Sequence, residues 1–188
     1  MRKLALALAV MASLVLSIPI IPAIAMIETP EAKAAAADAA ADAHADMVAT
    51  FGVEQLRPGQ FLWDDDADAY ARRHKGDPRV IISLSRQTAY LYRGDRLAAV
   101  TSISTGTETN PTPTGYFPVM EKKVMHHSRK YDDAPMPHMQ RLDSYGIALH
   151  AGMNPGRPAS HGCIRLPAKF AAKLFTVTRV GTPVMIGA

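Results

Sequence analysis

Leu4 to Ile27 runs without a charged side chain, and a basic Met1-Arg2-Lys3 precedes it. Glu28 to about Thr50 follows as an alanine and aspartate tract that favours helix but has no apolar stripe to dock on a core. It reads as an Ala/Asp-rich tether of fluctuating helicity over residues 26–50. Aromatic residues return at Phe51, Phe61, Trp63 and Tyr70, with turn signals at Pro58-Gly59 and Asp77-Pro78. The pattern turns to β at Arg79. Val80 to Leu84 and Thr88 to Tyr92 read as strands, and Gly94-Asp95 turns the chain into a third, Leu97 to Ser104. Thr105 to Gly115 is a loop with two prolines, and Tyr116 to Val124 and Gly146 to His150 are further strands. A polar, methionine-rich loop fills His126 to Tyr145. Pro167 opens a short helix whose apolar face is Phe170, Ala171, Leu174 and Phe175, and Thr182 to Ile186 closes the chain as a strand. Many short strands with one late helix predict a mainly β domain, β-rich α+β, with a helix packed beside it.

The apolar block changes where that domain is placed. A basic start, an apolar run and the small-x-small pattern Ala23-Ile24-Ala25 describe a signal peptide over residues 1–25. Pro19 and Pro22 suit the approach to a cleavage site better than a helix interior. An uncleaved membrane anchor is the competing reading, because the run is long enough to span a bilayer. Both readings export the remainder, to the periplasm or cell wall, and the membrane is a partner only if the signal stays uncleaved.

Charge divides at the same boundary as pattern. Residues 26–78 carry 5 basic and 11 acidic side chains, net −6, so 51–78 is an acidic segment ahead of the β domain. Residues 79–188 carry 14 basic and 6 acidic, net +8. Outside the cytoplasm such a surface suits an anionic polymer or carboxylate substrate rather than nucleic acid, although a merely solubilising surface explains it equally well. Asp64-Asp65-Asp66 lacks the spaced ligands of a calcium loop and reads as a solvated turn. The 188-residue chain has one cysteine, which excludes an internal disulfide and a zinc site built mostly on thiolates.

That cysteine lies in the most informative stretch, His150 to Pro167 (HAGMNPGRPASHGCIRLP). Cys163 follows Gly162 and precedes the predicted helix, with His161 two residues before it and His150 thirteen before. A turn of Ser, His, Gly and Arg is a setting for a reactive thiolate rather than a buried structural cysteine. The chemistry it suits is acyl transfer, in which a thiolate attacks a carbonyl, an imidazole moves the proton and backbone N–H groups hold the oxyanion. His161 is too close along the chain to be the obvious base. His150, at a strand end, can reach across.

Ala159-Ser160-His161-Gly162-Cys163-Ile164-Arg165-Leu166, with His150 upstream, resembles the signature of the L,D-transpeptidase (YkuD-type) family of bacterial cell-wall enzymes. Ile81 to Tyr92 resembles the family's opening hairpin, and Thr105-Gly106 with Pro113 to Phe117 its TP-x-G-x-F stretch. Pro135-Met136-Pro137 resembles a substrate-side loop, and Gly181 to Val184 also fits. The resemblance covers about residues 79–187 and implies a β-sandwich catalytic domain over 79–188. It implies Cys163 as nucleophile, His150 as proton acceptor and donor, and Ser160, His161 and Gly162 as oxyanion and turn support. Arg165 would contact substrate or brace the loop. The implied partners are peptidoglycan stem peptides, a donor tetrapeptide and an acceptor amine, joined as 3-3 cross-links with no metal or other cofactor. This chain departs from many members in having Ala151 after the histidine, nine residues between His150 and Ser160, and Arg165 where asparagine is common.

Three readings stay open beside it. A thiol carboxypeptidase or endopeptidase uses the same site with water. A zinc peptidase would draw ligands from His150, His161 and Cys163. A wall-binding module would leave the thiol inert. His126, His127 and His138 lack the spacing of common zinc motifs and read as solvated loop residues.

Overall fold

The computed structural model describes residues 27–188; the expected signal peptide lies outside them. The described chain runs α1 (Pro30–Phe51), β1 (Phe61–Trp63), α2 (Asp65–Arg73), β2 (Pro78–Ser83), β3 (Thr88–Arg93), β4 (Arg96–Ser102) and β5 (Gly115–Pro118). It continues β6 (Glu121–His127), β7 (Pro135–Arg141), β8 (Ala148–Ala151), β9 (Ile164–Leu166), α3 (Ala168–Val177) and β10 (Pro183–Gly187). One sheet has the order β1-β4-β3-β2-β10-β5 and the other β6-β7-β8-β9. The mainly β, two-sheet architecture expected from the sequence is the one found.

The first sheet is covered on both faces, which is why its strands read as unbroken apolar runs. Val80, Ile82, Ala89, Leu91, Val184 and Ile186 face the central core, where they meet Leu149, Ile164 and Leu166 of the second sheet and Phe170 and Leu174 of α3. Ile81, Tyr90, Tyr92, Leu97 and Val100 face the other way, onto α1. An irregularity between Leu91 and Tyr92 in the β3–β4 register keeps Leu97 and Val100, an odd number of residues apart, on that one face.

The expected tether over 26–50 is instead a docked helix. Thr29 caps it by accepting the Ala32 N–H at 3.2 Å, and Gly52 ends it in the left-handed region with its N–H on the Val48 carbonyl. Ala36, Ala40, Ala43 and Met47 form a buried stripe at helical spacing. A conventional apolar face is absent because small alanines do the packing: they let the helix backbone lie close on the sheet. A Cβ on Gly187 would stand 2.5 Å from the Ala36 carbonyl oxygen, so glycine there admits the helix. The Tyr92 hydroxyl donates to the Asp46 carboxylate at 2.5 Å across the same contact.

The acidic segment 51–78 is likewise built into the fold. β1 pairs antiparallel with β4, and Phe61 and Trp63 set their rings edge-on to Phe170 of α3 at 5.8 and 5.6 Å. Asp64, expected in a solvated turn, caps α2 by accepting the N–H groups of Asp66 and Ala67.

Two further expectations are corrected. Tyr116 to Val124 is not one strand: the Val119 N–H bonds to Thr182 beside the first sheet, the Met120 N–H to Arg141 of the second, and the chain changes sheets between them. The polar loop expected over 126–145 is largely a hairpin of β6 and β7. Pro135 and Pro137 lie where β7 pairs with β6 alone, so their missing N–H groups leave no second ladder broken.

Candidate active site

β8 and β9 pair in parallel with Leu149 opposite Ile164, His150 opposite Arg165 and Ala151 opposite Leu166. Side chains alternate along a strand, so Leu149, Ala151, Ile164 and Leu166 enter the core while His150, Cys163 and Arg165 share the opposite face. Cys163 immediately precedes β9, not a helix as expected, and stands diagonal to His150. Met136, Met139 and Ala148 pack around Cys163.

The turn before Cys163 is held by two hydroxyl groups. Ser160 Oγ accepts the Gly162 N–H at 3.1 Å and donates to the Cys163 carbonyl at 2.5 Å. Thr112 Oγ1 donates to the Gly162 carbonyl at 2.8 Å. Gly162 has φ 108°, and a Cβ there would lie 2.6 Å from Ile147 Cδ1, so both conformation and space require glycine. His161 is exposed and stacks on Tyr131, at the β6–β7 turn, with ring centroids 4.3 Å apart.

His150 is buried, and its Nδ1 lies 2.8 Å from the Ala151 carbonyl oxygen. A carbonyl only accepts, so Nδ1 carries the hydrogen in the neutral ring and Nε2 keeps the lone pair. Burial, opposed by that bond and reinforced by Arg165, holds the imidazole below its ordinary pKa. The Cys163 thiol donates to the Gly146 carbonyl at 3.5 Å. Burial pushes its pKa up and Asp143 adds to that, while the Ala148 N–H and Arg165 pull it down. Both shifts favour the neutral forms, a protonated thiol and an imidazole whose Nε2 keeps its lone pair.

Arg165 is locked by its backbone, its N–H on the Ser104 carbonyl at 2.8 Å and its carbonyl on the Ser104 N–H at 3.1 Å. Of the expected residues, His150, Cys163 and Arg165 share one face, Ser160 and Gly162 build the turn before Cys163, and His161 lies outside against Tyr131. Among the described residues no three His, Cys, Asp or Glu side chains converge as metal ligands.

Two residues of this site were missed from sequence. Asp143 is buried, and its Oδ1 accepts the N–H groups of Tyr145, Gly146 and Ile147 at 2.8–2.9 Å, which fixes the carbonyl that holds the thiol. Asp followed by glycine three residues later, before a strand, was the available turn signal. Thr112 opens the TP-x-G-x-F stretch, which was the available signal, but no local pattern ties its hydroxyl to the turn before Cys163.

The family model of the L,D-transpeptidase catalytic domain matches residues 77–186, which contain every residue of this site. The chain belongs to the L,D-transpeptidase family. An L,D-transpeptidase from Mycobacterium smegmatis is similar in fold, with TM-score 0.56 and 21% identity over 60% of this chain and 59% of that one. One from Stackebrandtia nassauensis gives TM-score 0.54 and 27% identity over 60% and 56%. L,D-transpeptidase 3 from Mycobacterium tuberculosis gives 0.54 and 21% over 59% and 61%. This chain thus spans about three fifths of the length of these solved structures. No curated protein matches it. Within this L,D-transpeptidase fold α1 and β1 lie ahead of the family match, yet both pack on its first sheet.

Proposed function

We propose that the protein is an exported peptidoglycan L,D-transpeptidase that works through a cysteine thioester and forms 3-3 cross-links. The observation that carries the reading is His150, with Nδ1–H fixed on Ala151 and its basic nitrogen available on the face that bears Cys163. His150 Nε2 takes the thiol proton as Cys163 Sγ attacks the carbonyl carbon of the third stem residue, at its L-centre. The oxyanion forms against the Cys163 N–H, since the Gly162 N–H is engaged by Ser160. Collapse breaks the bond to the terminal D-alanine, whose nitrogen receives the proton from His150. The side-chain amine of a second stem then attacks the thioester, gives its proton to His150, and releases the thiol as the new amide forms. Preorganised donors at the oxyanion are the largest contribution such a site makes.

Incubation with a tetrapeptide stem tests this. Mass spectrometry should find the protein acylated at Cys163, free D-alanine, and a cross-linked product when an acceptor stem is present. Tripeptide alone, with acceptor in excess, would assign the site to hydrolysis instead. An unmodified protein with intact stems would remove the reading. Export is tested by amino-terminal sequencing: the mature chain should begin near Met26 and be recovered outside the inner membrane.

A further inference from the structure

The proline loop between β4 and β5 contributes to the nucleophile turn through one side chain. Thr105 anchors its start: its carbonyl accepts the N–H groups of Ala159 and Ser160, and the buried Gln87 bonds both its N–H and its hydroxyl. The loop then returns, and the buried Thr112 comes to rest between two glycines. Its hydroxyl accepts the Gly106 N–H at 2.9 Å and donates to the Gly162 carbonyl at 2.8 Å. An amide N–H can only donate, so the hydroxyl hydrogen is committed to Gly162. The packing leaves little slack. A Cβ on Gly106 would stand 2.7 Å from the Thr112 nitrogen and 2.8 Å from Gly162 Cα.

The Gly162 carbonyl and the Cys163 N–H belong to one trans peptide plane and point in opposite directions. A group that pins the oxygen therefore aims the hydrogen. Ser160 grips the two flanking positions, the Gly162 N–H and the Cys163 carbonyl, and leaves the rotation of the intervening peptide to Thr112. We infer that Thr112 is a positioning residue for acyl transfer, aiming the Cys163 N–H at the developing oxyanion by holding the Gly162 carbonyl at the other edge of the same peptide. This rests on the cysteine acyl-transfer reading above. It goes further by assigning the loop a part in transition-state stabilisation rather than in shape alone.

The test separates chemistry that needs an oxyanion donor from chemistry that does not. Single-turnover release of D-alanine from a synthetic tetrapeptide stem needs the donor. Alkylation of Cys163 by iodoacetamide does not, because no carbonyl oxygen gains charge. Thr112→Val should slow acylation by about 10- to 100-fold, somewhat less than outright loss of an oxyanion donor costs. Its alkylation rate across pH should stay within about twofold of wild type, and Thr112→Ser should restore acylation. Thr112→Ala carries the same comparison if the valine variant does not fold. Equal loss of acylation and alkylation, wild-type acylation in the valine variant, or failure of serine to rescue would each overturn the inference. A wild-type protein that is alkylated but never acylated overturns the acyl-transfer reading itself, and this inference with it.

Discussion

His150 and Arg165 are direct partners across the parallel β8–β9 pair, and Cys163 lies two residues before Arg165 on the same face. This short ladder and the turn leading into it thus bring an imidazole, a guanidinium and a thiol to one face, while the alternate residues of both strands anchor it in the core.

The two histidines of the motif should behave differently. His150→Ala is expected to remain folded and to acylate on the order of 10²–10⁴-fold more slowly, with partial recovery as rising pH ionises the thiol. His161→Ala removes a stack on Tyr131 and should loosen the turn without pH rescue. Acylation rates against pH, with melting curves on both variants, decide between them; a pH-rescued defect in His161→Ala alone would reverse the roles.

Thiol ionisation offers a second measurement. Burial raises the Cys163 pKa, so half-maximal alkylation should fall above the pH at which an exposed thiol reaches it. Asp143 raises it further and Arg165 lowers it. Asp143→Asn keeps the oxygen that caps the 145–147 turn but removes the charge, and should shift the alkylation profile to lower pH. Arg165→Gln should shift it to higher pH. Profiles that do not move would show that neither charge reaches the sulfur.

Stability should depend on pH through His150. Its folded pKa is held below the ordinary 6.5, so below about pH 6.5 the unfolded chain binds a proton that the folded site resists. The stabilisation from a neutral His150 is complete above that pH and is lost as pH falls toward the folded-state value. Denaturant titrations between pH 7.5 and pH 5, a range chosen to bracket roughly the ordinary histidine value, should show a steeper decline for wild type than for His150→Gln.

The α1 contact predicts a stability effect remote from the chemistry. Ala43 is fully buried against the first sheet, so Ala43→Asp places an unpaired charge there and should cost on the order of 2–4 kcal/mol. Asp42 is exposed one residue earlier, and Asp42→Ala should change stability by less than about 0.5 kcal/mol. Equal effects of the two would mean that α1 does not dock in solution.

The sequence by itself determined what is local. Val80-Ile81-Ile82 and Tyr90-Leu91-Tyr92 read as strands, Pro167 as the start of a helix, and Ser-His-Gly-Cys after a spaced histidine as the candidate reacting pair. It did not determine what depends on partners distant along the chain. Alanine has too little hydrophobicity to show a stripe, so only the glycine at 187 and the tyrosines of β3 reveal that Ala36, Ala40, Ala43 and Met47 are one face of a packed helix. Tyr116 to Val124 is divided between two sheets by hydrogen bonds to Thr182 and Arg141, which no local pattern contains. Thr112 reaches Gly162 across fifty residues through one hydroxyl, and Asp143 reaches the thiol through the carbonyl of Gly146. The candidate nucleophile and base are visible in the sequence because their spacing follows from one strand and one turn. The groups that hold them are not, because a hydrogen bond constrains two atoms in space and leaves the intervening sequence free.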